Sequence, residues 1–294
     1  MTAGAGMTGV LFFIMNEKYQ KLLEYLAGLG SAAVAFSGGV DSTFLLKAAH
    51  DVLGDKALAV TVSSCFVPER ELDEARAFCE QNSIEQVECR FDVLSVEGVS
   101  PNPPDRCYLC KRALFVRIGD IARGRGLAAV VEGSNTDDEG DYRPGLRAIA
   151  ELGVKSPLRA VGLGKKEIRQ LSRGLGLPTW DKPSFACLAS RFVYGEPLTE
   201  EGLSRVEKAE QLLLDLGFRQ MRVRVHGQAD KSPLARIEVL PEDLLKIMEP
   251  ATRQKIHQEL RSLGFAYVTL DLGGYRTGSM NETLAAAGGI TAQR

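Results

Sequence analysis

The segment Ser37–Thr43, with the sequence SGGVDST, constrains this chain more than any other. An apolar run over 32–36 precedes it, and a helical pattern that stops at Gly54 follows it. The pattern therefore predicts a strand, a glycine-rich turn and a helix in immediate succession. Backbone N–H groups converge at the start of such a helix, where the helix dipole favours anions. We expect this turn to bind a phosphate group.

The side chains of the turn favour the same interpretation. Two glycines let the backbone approach a phosphate without interference from a Cβ atom. The hydroxyl groups of Ser37 and Ser42 add donors, and Asp41 can hold Mg²⁺ against the phosphate oxygens. The segment lacks the lysine of a Walker A loop and the third glycine of a dinucleotide-binding fingerprint. The alternative is an ordinary strand-to-helix turn that is rich in small residues.

Apolar and amphipathic stretches alternate through the first two-thirds of the chain. Strands are predicted at 57–62, 87–91 and 128–131, and a helix is predicted over 165–174. This order of strands and helices predicts an α/β fold, in which a Rossmann-like parallel sheet is covered by helices on both faces.

The pattern changes after about Tyr194, which predicts a second domain. The elements predicted there are helices over 199–216 and 241–263 and strands at 221–225, 235–239 and 266–270. They form a smaller C-terminal α+β unit. We place the two domains at 16–192 and 193–294.

The charge balance and the apolar runs exclude several classes of protein. The chain has 36 Lys and Arg against 38 Asp and Glu, a net charge of −2, which argues against a nucleic-acid backbone as partner. No apolar run approaches the ~20 residues of a membrane span, and the short run at 10–15 lacks the basic region of a secretory signal. We therefore expect a cytoplasmic protein without a membrane partner. Its six cysteines are then reduced thiols, metal ligands or catalysts rather than disulfides.

Three of these cysteines form a candidate metal site. Cys107 and Cys110 make a Cys-x-x-Cys pair at the start of a predicted helix, where thiol pKa values fall, and Cys187 lies far along the chain. Zinc would normally take a fourth Cys or His, and the three histidines form no spaced pair. Three ligands would instead leave one iron of a 4Fe-4S cluster open for an exogenous sulfide. The alternative is two partly exposed thiols and a core cysteine.

Charged residues form two further candidate sites. An acidic loop at 137–141, followed by Arg143, lies at the carboxyl end of a predicted parallel strand, where α/β sheets bind ligands. A solvated acidic turn is the equally favoured alternative. Arg222 and Arg224 alternate on one predicted strand and so share a face, and a guanidinium fork suits a phosphate group. A solvent-facing basic strand is the alternative there.

Several motifs resemble a known family. Ser37–Ser42 resembles the pyrophosphate loop of the PP-loop ATPases, which cleave ATP between the α- and β-phosphates. From about Tyr19 to Leu284 the chain is similar to the LarE family, ATP-dependent sulfur transferases that help to build the nickel-pincer nucleotide cofactor. The loop alone indicates only the superfamily, whereas the further stretches together are specific. They are Asn135–Gly145, Cys187–Phe192, Val223–His226 and Thr269–Gly274 with Arg276.

The resemblance implies a reaction and its cofactors. The enzyme would adenylate a carboxylate of pyridinium-3,5-biscarboxylic acid mononucleotide, release pyrophosphate, and convert the acyl-adenylate to a thiocarboxylate with release of AMP. The implied cofactors are ATP, Mg²⁺ and a 4Fe-4S cluster, and the partners are the nucleotide substrate and sulfide or another sulfur donor. The resemblance also implies a homo-oligomer, a hexamer, with the C-terminal domain binding the substrate phosphate and joining the subunits.

The resemblance also implies which residues form each site. Asp41 would hold Mg²⁺ and serve in catalysis. The ATP site would comprise Phe36, Ser37, Gly38, Gly39, Asp41, Ser42, Thr61 and Gly133. The nucleotide substrate would contact Asp138, Arg143, Ser190, Arg191, Arg222 and Arg224.

The resemblance leaves two roles for Cys187. It is a cluster ligand together with Cys107 and Cys110, or it is a sacrificial nucleophile that surrenders its own thiol sulfur. The presence of the Cys-x-x-Cys pair favours the cluster.

Two other functions remain as alternatives. Some tRNA thiolases also resemble PP-loop proteins with a Cys-x-x-Cys and one distant cysteine, although the net charge and the lack of a basic tail or zinc module argue against RNA. A non-catalytic adenine-nucleotide-binding regulator would leave the Cys-x-x-Cys and the paired arginines unexplained.

Overall fold

The computed structural model describes residues 17–138, 144–227, 233–276 and 279–281. Within these residues the chain divides into two compact units. The first comprises 17–64, 69–91 and 107–185, and the second comprises 65–68, 92–106 and the residues from 186 onward.

This division differs from a single boundary at 192–193, because two early segments belong to the second unit. The N–H of Leu188 donates to the carbonyl oxygen of Phe66 at 2.9 Å. The Asn102 amide donates to the carbonyl oxygen of Val193 at 2.7 Å. These hydrogen bonds join the segments 65–68 and 92–106 to residues after 186, within the second unit.

The first unit is a parallel sheet with helices on both faces, which confirms the predicted α/β fold. Its strands are β1 (Ala32–Ala35), β2 (Ala57–Ser63), β3 (Gln86–Arg90) and β4 (Ala129–Val131), in the order β3-β2-β1-β4. Its helices are α1 (17–27), α2 (Val40–Leu53), α3 (Glu69–Gln81), α4 (Arg106–Gly124), α5 (Pro144–Glu151), α6 (Pro157–Ala160) and α7 (Lys165–Gly174).

Alternation along β1 explains the two layers of helices. Ala32 and Val34 pack into the apolar cluster formed with α1, α2 and α3, whereas Ala33 packs into the cluster with α4. Both sets are fully buried, as expected of a central parallel strand whose side chains alternate between two covered faces.

The strand order places a reversal of winding between β1 and β4. The chain runs outward from β1 to β2 and β3 and then returns to β4 on the other side of β1. The carboxyl ends of β1 and β4 therefore flank the point where the direction of winding reverses, which is where open α/β sheets bind ligands.

The second unit is a small α+β structure, as predicted. Its strands are β5 (Met221–His226), β6 (Leu234–Val239) and β7 (Tyr267–Leu270), with β5 antiparallel and β7 parallel to the central β6. Its helices are α8 (Glu200–Asp215), α9 (Leu244–Met248) and α10 (Pro250–Ser262).

Short 3-10 turns occur in both units. They lie at Gly54–Lys56, Val93–Ser95, Thr136–Asp138, Leu188–Arg191, Pro241–Asp243 and Ser279–Asn281.

The prediction of a single helix over 241–263 was wrong, because Pro250 divides this segment into two helices. Glu249 has φ −54° and ψ 134°, the extended conformation that a following proline imposes, and α10 begins at Pro250.

Among the described residues no helix is long and apolar enough to cross a membrane.

Candidate active site

The turn after β1 begins α2 without a side-chain cap. Gly39 is the N-cap residue, and its carbonyl oxygen accepts the N–H of Thr43 at 2.9 Å. The Ser42 hydroxyl lies 3.1 Å from the Ser37 hydroxyl and accepts the Ser37 N–H at 3.3 Å. Gly38 has φ +67°, which favours glycine, and a Cβ there would lie 3.4 Å from a carbonyl oxygen of α3. A glycine turn with hydroxyls at an uncapped helix start is suited to a phosphate group.

Asp41 lies in the first turn of α2, and only one of its two carboxylate oxygens accepts a hydrogen bond among the described residues. Its Oδ2 accepts the Lys165 ammonium at 2.5 Å, while its buried Oδ1 has no hydrogen-bond partner among the described residues. Burial raises the pKa of Asp41, the Lys165 charge opposes this, and the nearby Asp138 carboxylate adds to the rise. A carboxylate oxygen without a partner beside a phosphate-type turn fits the oxygen ligands that Mg²⁺ prefers.

The segment after β4 meets the start of α2. A Cβ on Gly133 would lie 3.1 Å from the backbone nitrogen of Ser42 and 3.2 Å from the carbonyl carbon of Asp41. Glycine is therefore needed for the two segments to approach this closely. The preceding Glu132 is buried and accepts the N–H and the hydroxyl of Ser134 at 3.0 and 2.7 Å, which holds the segment in place.

Two predicted ATP-site residues lie inside the first unit. The Phe36 ring packs against the Phe78 ring with centroids 5.7 Å apart. The Thr61 hydroxyl accepts the Gln86 amide at 2.8 Å. Both predicted residues are buried, and their contact with ATP stays a prediction.

The acidic loop is divided between solvent and interior. Asp137 is less buried than its neighbour, and its carboxylate accepts the Lys165 N–H at 2.8 Å. Asp138 is buried, and its Oδ2 accepts the Asn135 N–H at 3.0 Å. The predicted substrate residue Arg143 lies outside the described residues.

Three basic residues near the turn were missed by the sequence analysis. Lys165 reaches Asp41, and the Lys182 ammonium donates to the carbonyl oxygen of Gly38 at 2.9 Å. Arg169, one turn after Lys165 in α7, donates to the backbone carbonyl oxygen of Lys182 at 2.7 Å and so holds that lysine in place. The helix over 165–174 was predicted, but no local spacing relates these residues to the turn.

In the second unit Arg191 supports the segment that carries Cys187. Its Nε and Nη2 donate to the two carboxylate oxygens of Glu210 at 2.9 and 2.8 Å. Its Nη1 donates to the carbonyl oxygen of Cys187 and to the Ser190 hydroxyl, both at 3.0 Å. The side chain is fully buried. Arg191 is therefore placed to hold Cys187 and Ser190, whatever it contacts on a substrate.

The guanidinium of Arg224 joins the same network. It donates to Glu238 from Nε and Nη2 at 3.1 and 2.9 Å, to the Ser190 carbonyl oxygen at 3.0 Å and to the Ser279 hydroxyl at 3.1 Å. The structure thus brings together Arg191, Ser190 and Arg224, and their contact with a substrate stays a prediction.

Arg222 lies on the same strand and is buried as well. Arg222 and Arg224 are 3% and 5% exposed, which excludes a solvent-facing basic strand. Arg222 donates to the Met221 carbonyl oxygen at 2.6 Å, and its guanidinium lies 5.1 Å from the Tyr275 ring centroid. Burial, with the neighbouring Arg191 charge, lowers the pKa of Arg222 to about 10. A buried positive charge of this kind favours an anionic ligand.

Arg236 on β6 extends the network to a histidine. Its Nε donates to His226 Nε2 at 2.9 Å, and its Nη1 donates to Glu238 at 3.0 Å and also pairs with Asp271. His226 therefore acts as an acceptor in its neutral form. Burial and the Arg236 charge lower the pKa of His226.

The three candidate cysteine ligands are divided between the units. Cys107 and Cys110 are half-buried, one helical turn apart at the start of α4, and belong to the first unit. Cys187 is exposed and belongs to the second. Over the described residues no three His, Cys, Asp or Glu side chains are grouped closely enough to hold a metal ion.

Comparison with known proteins shows the family. No protein-family model matches the chain. The chain is 41% identical over 278 residues to pyridinium-3,5-bisthiocarboxylic acid mononucleotide synthase of Lactiplantibacillus plantarum, which covers 93% of this chain and 97% of that enzyme. It is also 41% identical over 272 residues to an uncharacterized protein of Synechocystis sp., covering 92% and 99% of the two chains.

A more distant similarity covers about half of the chain. One of the subunits of the glutamine-hydrolyzing GMP synthase of Methanocella arvoryzae is 28% identical over 170 residues, 53% of this chain and 54% of that relative. This relative supports the PP-loop superfamily, to which the glycine turn already points. At 41% identity over nearly its whole length, the chain belongs to the LarE family, that of the pyridinium-3,5-bisthiocarboxylic acid mononucleotide synthase.

Proposed function

We propose that this chain is an ATP-dependent sulfur transferase that converts a carboxylate of pyridinium-3,5-biscarboxylic acid mononucleotide to a thiocarboxylate. The similarity to the named synthase over nearly the full length of both proteins carries this proposal. The glycine turn at the start of α2 and the buried arginines of the second unit support it with two anion-binding features of the kind that the reaction needs.

The first half-reaction is an adenylation. A substrate carboxylate oxygen attacks the α-phosphorus of ATP, the bond to the β-phosphate oxygen breaks, and pyrophosphate leaves with the electron pair. The turn at 37–42 stabilises the charge that develops on pyrophosphate, because its N–H groups and hydroxyls are already oriented. Asp41 would hold Mg²⁺ through its uncommitted Oδ1. Adenylation is needed because an unactivated carboxylate would have to expel hydroxide, a poor leaving group, when sulfur attacks. The acyl-adenylate expels AMP instead.

The second half-reaction replaces AMP with sulfur. A sulfide sulfur attacks the acyl carbon, the bond to the AMP oxygen breaks, and the thiocarboxylate and AMP are released with loss of a proton. Cys107, Cys110 and Cys187 would hold a 4Fe-4S cluster, which when bound supplies an open iron for the incoming sulfide. The position of Cys107 and Cys110 at the start of α4 supports these two as ligands, since a helix N-terminus favours thiolates, whereas Cys187 is included on the family resemblance.

The substrate phosphate is assigned to the second unit. Arg222 and Arg224 lie on one face of β5, and Ser190 is bonded to Arg224. Both guanidinium groups are buried, and Arg191 lies close enough to Arg222 for its charge to lower the pKa of Arg222. Guanidinium groups gathered in this way favour a phosphate group.

The second unit is also the proposed oligomerisation surface. Large apolar side chains are exposed there, namely Leu245, Met248, Tyr267 and Leu272. Strand β7 pairs only with β6 among the described strands, so one of its edges is open. We expect a homo-oligomer, a hexamer, by light scattering, and a monomer at micromolar concentration would contradict this part.

The products of ATP cleavage test the proposed function. With the mononucleotide substrate, ATP and sulfide under anaerobic conditions, we expect AMP, pyrophosphate and a thiocarboxylate in the mass spectrum. Asp41→Asn should stop pyrophosphate release, because it removes the anionic oxygen that would bind Mg²⁺. ADP as the sole nucleotide product, or no turnover with this substrate, would overturn the proposal.

A further inference from the structure

The glycine turn lacks its own lysine, and two lysines from later in the chain approach it. The Lys165 ammonium lies 2.5 Å from Asp41 Oδ2, and the Lys182 ammonium lies 2.9 Å from the carbonyl oxygen of Gly38. Both lysines belong to the first unit, as does the turn. The positive charge that a Walker A loop carries within itself is here supplied from a distance.

The two lysines differ in what their ammonium groups have left to donate. Lys182 donates both to Gly38 and to Glu74, the latter at 2.5 Å, so it is tied between the turn and α3. The Lys165 ammonium has a single hydrogen-bond partner in the described chain, Asp41. Because an ammonium carries three donors, Lys165 keeps two for an anion.

The position of Lys165 is held by the segment that follows β4. Lys165 is the first residue of α7, and its N–H donates to Asp137 at 2.8 Å. A Cβ on the preceding Gly164 would lie 3.1 Å from the Asp137 carboxylate, so the two segments are in close contact. The Lys165 side chain is 27% exposed, which leaves its ammonium accessible to a ligand.

We infer that Lys165 is a phosphate-binding residue of the ATP site, contacting the pyrophosphate part of ATP from α7 and so replacing the lysine that the glycine turn lacks. The inference rests on the proposed function and names a further residue for it. Lys165 would contact both Asp41 and the anion that the start of α2 attracts, while Lys182 holds the carbonyl of Gly38 in place.

Binding of inorganic pyrophosphate tests this without turnover. In calorimetric titrations without added Mg²⁺, Lys165→Met should weaken pyrophosphate binding about 10- to 100-fold, as expected for a lost charge-assisted hydrogen bond. AMP, which lacks the pyrophosphate part, should bind Lys165→Met and the unmodified protein equally. The adjacent Lys166 is the matched control, because no contact joins it to the turn in the described residues, and Lys166→Met should stay within about twofold.

A double substitution separates phosphate binding from neutralisation of Asp41. If Lys165 only neutralises that carboxylate, Lys165→Met should cost nothing in an Asp41→Asn background. If it binds phosphate, the variant should still lose about tenfold in pyrophosphate affinity there. Lys165→Gln, a second neutral side chain, supplies the same comparison if the methionine variant does not fold.

The outcomes distinguish this inference from the proposed function. Equal pyrophosphate affinity of Lys165→Met and the unmodified protein would overturn the role of Lys165 and leave the function standing. An unmodified protein that binds neither pyrophosphate nor ATP would instead overturn the proposed function.

Discussion

Arg191 and Glu210 form a bidentate ion pair in the interior of the second unit, with two N–O distances of 2.9 and 2.8 Å. Glu210 also accepts the N–H of Val223 in β5 at 2.9 Å, and Arg191 donates to the carbonyl oxygen of Cys187 at 3.0 Å. The pair therefore connects the segment that carries Cys187 to the strand that carries Arg222 and Arg224.

Removing one partner of this pair should destabilise the second unit strongly. Burial opposes ionisation of Glu210, but the Arg191 and Arg222 charges and the Val223 N–H keep its pKa below the ordinary value. Glu210→Gln leaves a buried guanidinium without its counterion, which costs about 3–5 kcal/mol of unfolding free energy in urea titrations.

Glu201→Gln is the matched control on the same helix. Glu201 pairs with Arg205, but its side chain is 78% exposed. Exposed pairs contribute little, so this variant should lose less than about 1 kcal/mol. Equal losses for Glu201→Gln and Glu210→Gln would contradict a structural role for the buried pair.

A methyl group on Gly133 should damage the ATP site. A Cβ there would lie 3.1 Å from the Ser42 nitrogen, so the start of α2 must move in Gly133→Ala. We expect ATP affinity to fall about tenfold or more in calorimetric titrations, a loss of about 1.4 kcal/mol. Gly124, in the last turn of α4, has open space where a Cβ would stand, so Gly124→Ala should leave ATP binding unchanged. Unaltered ATP binding by Gly133→Ala would show that this approach is not part of the site.

The two sulfur mechanisms predict different results for the cysteine variants. With Cys107, Cys110 and Cys187 as cluster ligands, each single alanine variant should lose iron and sulfide together with multiple turnover. Cys79→Ala, a change at a buried cysteine outside this set, should retain the iron. Iron analysis and product per protomer after anaerobic reconstitution provide the measurement.

A sacrificial Cys187 would give a different pattern. Each protomer would then transfer sulfur once and lose the mass of H₂S from Cys187 as dehydroalanine forms. The Cys107 and Cys110 variants would stay active and only Cys187→Ala would be inactive. This pattern, without bound iron, would contradict the cluster.

His226 should make the second unit less stable in acid. Its folded-state pKa is lowered by burial and by the Arg236 charge, so the unfolded chain binds the proton more tightly. The contribution of neutral His226 to the free energy of unfolding is fully present above the unfolded-state pKa of about 6.5. It is lost as the pH falls below that value toward the folded-state pKa. His226→Gln should therefore show a smaller loss of unfolding free energy between about pH 7.5 and pH 5.5 than the unmodified protein.

The control for this prediction is the exposed His257 in α10. His257→Gln should keep the pH dependence of the unmodified protein in the same urea titrations. An unchanged pH dependence in His226→Gln would exclude the histidine as its source.

Local patterns predicted the order of elements and the glycine turn. The apolar run at 32–36 and the two glycines after it determine a strand that ends where a helix begins, since hydrogen bonds within a few residues decide such a turn. The order of strands and helices likewise predicted a parallel sheet with helices on both faces. The break at Pro250 inside the helix predicted over 241–263 is also a local effect, because a proline forces the residue before it out of the helical conformation.

Only the tertiary structure decided which distant groups meet. Lys165 and Asp41 are 124 positions apart, and Glu210 on α8 meets Arg191, which lies in the 3-10 turn at Leu188–Arg191. Such pairs depend on which segments pack together, because burial makes a charge costly unless a partner is within hydrogen-bond distance. The family motifs named Arg191, Arg222 and Arg224 as site residues, while the structure decided that all three are buried. A local pattern contains the type and spacing of side chains, whereas their pairing and burial follow from contacts between segments that are remote in the chain.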